Sequence, residues 1–147
     1  MNSKFVKLYG GIQITDSMIG VLMAVILMAV VALNFGTLLD FARWGSEKFE
    51  INNIQSAAAT YKALRSDGAS PSSVEDILSG VPAADSIDGV NHTGLLTAKS
   101  GRWVNGRYTD AWGQEYQFST DADGADTITS AGIDRTIGTD DDIIVYY

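Results

Sequence analysis

From Ser17 to Leu39 the chain carries no charged residue, and its apolar run is broken only by Gly20, Asn34, Gly36 and Thr37. As a helix rising about 1.5 Å per residue, this stretch spans roughly 35 Å, enough to cross a hydrocarbon core of about 30 Å. A water-soluble chain of 147 residues does not normally carry such a segment. Lys4 and Lys7 precede it and no basic residue follows until Arg43, so the charge bias places the N-terminus in the cytoplasm and the rest outside.

Three mechanisms produce a segment of this kind, and they differ over Asp16. A secretory signal peptide has a basic start, an apolar middle and a small-residue cleavage site. Its best site here follows Val30-Val31-Ala32, after an apolar run longer than usual, and it gives Asp16 no role. A simple anchor gains nothing from a carboxylate at the bilayer edge, which costs a few kcal/mol unless paired. The third mechanism uses all the residues: a short basic leader, Gly10-Gly11, then Ile12-Gln13-Ile14-Thr15-Asp16. This pattern resembles the class III leader of type IV pilins and type II secretion pseudopilins. The resemblance implies that a prepilin peptidase cuts after Gly11, that Ile12 becomes the new N-terminus, and that Asp16 is its fifth residue. In that family the fifth residue is an acid that pairs with the terminal amine of a neighbouring subunit. An ammonium and a carboxylate that must both leave water are tolerable only together.

The absence of cysteine excludes a disulfide framework, a thiolate metal site and a cysteine nucleophile. The net charge of −8 is uneven: residues 67–147 hold fourteen acidic and four basic side chains. Such a head does not suit nucleic acid, whose phosphates need Lys and Arg; it suits cations or a basic partner.

Beyond the apolar run, helical spacing continues to Ser66-Asp67-Gly68, through Leu38, Ala42, Gly45 and Phe49 and then Ile54, Ala58, Tyr61 and Leu64. The spacing predicts one helix of about 50 residues, its upper part laid on a core and its lower part a bare apolar shaft. Ser72-Ser73-Val74-Glu75 predicts a capping box, with Ser72 and Glu75 bracketing the first turn of a short helix. Val81 to Gly94 reads as a loop that wraps the head. Asn105-Gly106 between Trp103-Val104 and Arg107-Tyr108 predicts a two-residue hairpin. Further strands are expected around Tyr116 and Phe118, at 127–130 and at 143–146. The fold class is therefore α+β, a long N-terminal helix packed on a small antiparallel sheet. In segments this gives a leader over 1–11, a transmembrane or polymerisation helix over 12–39, its amphipathic continuation over 40–67, and a globular head over 68–147.

The stretch richest in chemistry is Thr129 to Ile143, where Asp134, Asp140, Asp141 and Asp142 lie between two apolar strand segments. Hard cations take six to eight oxygens from carboxylates, carbonyls and waters, and a loop folding Asp134 back onto Asp141 and Asp142 would supply them. Empty, such a loop would crowd like charges. The plain alternative is an acidic solvated loop that binds nothing. The stretch resembles the C-terminal calcium loop of type II secretion major pseudopilins through Ser130, Gly132, Asp134, Gly138, Thr139, Asp141, Asp142 and Ile143. That resemblance implies Ca²⁺, with Asp134, Asp141 and Asp142 as side-chain ligands and the Thr139 carbonyl beside them; Asp140, in the same acidic run, is an additional candidate. Asp110-Ala111-Trp112-Gly113-Gln114-Glu115-Tyr116 resembles the segment that enters the sheet of the same proteins. Its local logic is structural: Asp caps a turn, Trp fills the core and Gly lets the chain bend.

Asp121-x-Asp123-Gly124 lacks the later acid of an EF-hand and reads as a hairpin turn. His92, the lone histidine, reads as a surface residue; Trp44 and Trp103 read as packing or inter-subunit contacts. No arrangement of nucleophile, base and phosphate-cradling loop points to an enzyme. The resemblance implies a homopolymer: a subunit held in the inner membrane, processed by prepilin peptidase, then built by an inner-membrane assembly machinery into an extracellular or periplasmic filament. A membrane-tethered monomer whose calcium-binding head captures a partner protein is the alternative.

Overall fold

The computed structural model describes the backbone of residues 3–147 and side-chain surroundings from Ser17 onward. Its first element, α1 (Ser3–Leu64), is one unbroken helix. The chain has only two prolines, Pro71 and Pro82, and both lie beyond it. Gly20, Gly36 and Gly45 each cost about 1 kcal/mol relative to alanine, too little to break a helix of this length. α1 is longer than the spacing predicted and ends slightly earlier, at Leu64. There the chain finds other partners: the Leu64 carbonyl accepts the Ile87 amide at 2.9 Å, and the Ser66 amide donates to the Asp85 carbonyl at 2.8 Å.

Two compact units divide the chain, Met1–Leu39 and Asp40–Tyr147. In the first, every residue from Ser17 to Leu39 is exposed. This segment is long and apolar enough to cross a membrane. The second unit holds the core. On α1 the buried residues are Glu47, Glu50, Ile51, Ile54, Ala57, Ala58 and Tyr61, a stripe at the three- and four-residue steps that align side chains on one helix face. Ile54, Ala58 and Tyr61 lie inward as predicted, but Phe49 is 76% exposed and Leu38 is 60% exposed. Two glutamates, not an aromatic, continue the buried stripe toward the N-terminus.

Helix α2 (Val74–Ser79) begins one residue later than the predicted cap. Ser73 is the N-cap, its hydroxyl accepting the Asp76 amide, and Asp76 reaches back to the Ser72 amide at 2.9 Å and hydroxyl at 2.6 Å. The capping box is thus Ser73/Asp76, and Glu75 turns away to accept the Tyr108 amide at 2.6 Å. That bond ties α2 to the hairpin β1 (Trp103–Val104) and β2 (Arg107–Tyr108). Asn105 and Gly106 take φ of 51° and 80°, the paired positive values that a type I′ turn requires.

The remaining strands, β3 (Gln117–Thr120), β4 (Asp126–Ser130) and β5 (Ile143–Tyr146), form a separate antiparallel sheet in the order β3-β4-β5. The single sheet expected is therefore two small ones. β4 is buried throughout, with Phe118, Ile128 and Val145 side by side across the sheet. Asp121 closes the β3–β4 turn by accepting the Asp123 and Ala125 amides, so this acid serves the turn. Lys62 on α1 reaches Asp126 at 2.6 Å, and Gln55 donates to the Tyr146 carbonyl at 2.6 Å, fixing the sheet on the helix. Lys62, helped by Ser70, holds the Asp126 carboxyl down at about 2.

Candidate functional site

The head joins α1 through a buried polar cluster. Glu47 is fully buried and accepts the Arg102 guanidinium at 2.5 Å, the Tyr116 hydroxyl at 2.5 Å and the Ala111 amide at 2.8 Å. One turn on, the buried Glu50 accepts the Tyr108 hydroxyl and pairs with Lys99. Burial of a carboxylate costs several kcal/mol unless it is paired and hydrogen-bonded; Glu47 is hydrogen-bonded through both oxygens, and Glu50 is hydrogen-bonded through Oε1 and paired with Lys99 through Oε2. Burial and the Glu47 charge push the Tyr116 phenol far above the ordinary tyrosine range. Burial and Glu50 push Tyr108 up to about 12. Burial opposes the charge on Arg102, but Glu47 outweighs it and raises the guanidinium pKa.

Neither glutamate was legible as part of a site. The available signal was their register: positions 47, 50, 51, 54 and 58 share one helix face, so two acids in line with an apolar stripe have to be paired.

The Asp110-Ala111-Trp112-Gly113 turn docks on this cluster as its local logic predicts. Asp110, 2% exposed, accepts the Trp112 and Gln114 amides through Oδ1 and the Ser130 hydroxyl through Oδ2. Trp112 sits in the core, and Gly113 takes a φ of 86°. The turn thereby links α1, through Ala111 and Glu47, to the end of β4 and the loop that follows.

That loop folds Asp134 onto Asp141, but by its backbone. The Asp134 amide donates to Asp141 Oδ2 at 2.9 Å, while the Asp134 carboxylate accepts the Thr136 amide at 2.8 Å. Asp141 Oδ1 accepts the Thr139 hydroxyl at 2.8 Å, and Asp142 Oδ2 accepts the Gly138 amide at 2.7 Å. The Asp134 amide, and after it the Thr139 hydroxyl, lower the Asp141 pKa. Asp140 is exposed.

Among the described residues, no three His, Cys, Asp or Glu side chains gather into a metal-holding group. One oxygen of the loop nevertheless has the character a hard cation needs: Asp142 Oδ1 is buried and has no hydrogen-bond partner among the described residues.

Gly132 makes the fold-back possible. Its φ is 65°, and a Cβ there would overlap the Asp141 carbonyl oxygen and carboxylate. Gly132→Ala should therefore force the two sides of the loop apart and strain the backbone, at a cost of about 1–3 kcal/mol. Urea unfolding of the detergent-solubilised chain measures it, and an unchanged midpoint would refute the account.

His92 lies at the mouth of the Val81–His92 loop, with Nε2 2.9 Å from Asp88 Oδ1. Trp44 packs at the core edge, its ring covered by Lys48 Nζ at 3.6 Å from the centroid, and Trp103 is 43% exposed. Gly11, Ile12 and Asp16 lie outside the residues whose side-chain surroundings are described.

Comparison with protein-family models, with curated proteins and with solved structures finds no match to this chain.

Proposed function

We propose that the chain is a structural subunit of a type IV pilus-like filament, a pilin or major pseudopilin, stored in the membrane and polymerised through its N-terminal helix. The observation that carries the reading is the bare helix segment: every large apolar side chain from Met18 to Leu39 is exposed, Leu33 by 83%. Each would contribute about 1.5–3 kcal/mol on burial, so the segment requires a cover on the order of tens of kcal/mol. Lipid supplies that cover before assembly, and identical helices supply it afterwards. The leader pattern Gly10-Gly11-Ile12 and Asp16 support this route, since they resemble the processing and pairing signals of that family.

N-terminal sequencing of the protein from its native membrane tests the reading. Ile12 as the first residue is expected; Leu33 would indicate secretory cleavage, and Met1 an unprocessed anchor.

The head is proposed to take Ca²⁺ at the C-terminal loop, whose oxygens are the ligand type such an ion needs. Asp142 Oδ1 is the anchor, and Asp134, Asp140, Asp141 and the Thr139 carbonyl are the other candidates. The ion would supply positive charge to a loop holding four carboxylates within nine residues. At Ca²⁺ a hundredfold above its dissociation constant the gain in stability is about 2.7 kcal/mol. Thermal unfolding of the detergent-solubilised chain should accordingly shift upward with Ca²⁺, return with a chelator, and not respond in Asp142→Asn. An identical melting temperature with Ca²⁺ and with chelator would leave the loop as a solvated acidic turn.

A further inference from the structure

Asn91-His92-Thr93 is the one Asn-x-Ser/Thr triplet in the sequence, and we propose that Asn91 is an acceptor for an N-linked glycan. The proposal rests on the reading that places the head outside the cytoplasm.

Its geometry suits an acceptor. Asn91 and Thr93 are both exposed. Asn91 Oδ1 accepts the Ala83 amide at 2.7 Å, whereas among the described residues its Nδ2 donates to no partner. The carbonyl is thus held by the loop, and the nitrogen that would receive the sugar is left over. Glycosylation turns the primary amide into a secondary one and keeps the carbonyl, so the bond from Ala83 survives modification.

The surrounding loop is a firm base. Val81 and His92 exchange two backbone hydrogen bonds of 2.8 Å, and Ile87 and Asp85 tie the loop to the end of α1. Ile87 and Val90 on the same loop are 71% and 56% exposed. A glycan on Asn91 would offer the C–H faces of its sugars to these side chains, which no other described residue covers.

In the attachment step, Nδ2 forms a bond to C1 of a sugar carried on a polyprenyl diphosphate. The bond from C1 to the diphosphate oxygen breaks, the lipid diphosphate leaves with the electron pair, and one proton passes from Nδ2 to a base of the transferase.

Mass spectrometry of the chain extracted from its native membrane tests the assignment. The expected result is a mass above that of the polypeptide by whole sugar residues, located on the peptide that contains Asn91. Asn91→Gln and Thr93→Ala should abolish the addition, and Thr93→Ser, which leaves the loop and the hydroxyl in place, should retain it. A sugar that persists in Asn91→Gln overturns the assignment. A bare Asn91 on a head open to protease added to spheroplasts overturns the glycan alone. If Asn91 is bare and the head stays protected from protease even in spheroplasts, whose outer membrane has been opened, both the glycan and the proposed topology fall.

Discussion

Glu47→Ala should destabilise the head by about 3–5 kcal/mol, the usual effect of removing one partner from a buried ion pair. The substitution leaves the Arg102 guanidinium, only 11% exposed, without its counter-charge. It also strands the Tyr116 hydroxyl and the Ala111 amide, which both end on Glu47. Because domains are stable by only about 5–15 kcal/mol in all, a loss of this size corresponds to a fall of roughly 10–20 °C in melting temperature. Near-ultraviolet circular dichroism of the detergent-solubilised chain would follow it through Trp112 and the neighbouring tyrosines. Two further variants separate charge from packing. Tyr116→Phe leaves one carboxylate oxygen unsatisfied and should cost about 1–3 kcal/mol. Glu47→Leu combined with Arg102→Leu removes both charges together and should recover much of the loss, because an apolar pair of similar volume is often as stable as a buried ion pair. A Glu47→Ala midpoint within about 1 kcal/mol of the parent, the level of an exposed surface pair, would show that the cluster does not hold the head on α1.

What the sequence disclosed and what it hid divide along a physical line. Features fixed by neighbouring residues were readable: the apolar run of α1, the Asn105-Gly106 turn, the Asp121 turn and the Asp110-to-Gly113 bend all depend on backbone preferences within a few residues. The polar cluster was not readable, because Glu47 and Glu50 become interior positions only when Arg102 and Lys99, about fifty residues away in the chain, fold back over them. The helix cap shows the same limit at short range. Ser72 and Ser73 are both competent caps, and the choice falls to Ser73 because Asp76 can reach back to Ser72 while Glu75 is claimed by the Tyr108 amide. In the terminal loop, the closeness of Asp134 to Asp141 followed from Gly132. The atoms that meet did not, since a carboxylate near a turn can accept an amide or a cation, and spacing alone does not decide between them.

Asp16→Ala should abolish filaments while leaving both the membrane segment and the head intact. In the proposed route, cleavage after Gly11 exposes the Ile12 ammonium, and assembly carries it into a bundle of apolar helices from which water is excluded. A single charge buried there without a partner costs several kcal/mol, and the penalty recurs at every subunit added. In that proposal Asp16 of a neighbouring copy would be the acid that meets it, so its loss would raise the cost of each addition without touching any contact of the head. Alanine also makes the membrane segment more apolar, so insertion should not suffer. The expected pattern is therefore specific: normal amounts of chain in the membrane fraction, the same melting temperature for the head, and no sedimenting fibres by electron microscopy of the sheared or extracted material. Asp16→Glu keeps the charge and should keep assembly. Filaments at parental abundance in Asp16→Ala would remove the pairing from the mechanism. A parent chain that stays monomeric in mild detergent and forms no fibre in its host would favour the tethered calcium-binding head, because in that arrangement lipid alone covers Ser17 to Leu39 and the acid at position 16 has nothing to pair with.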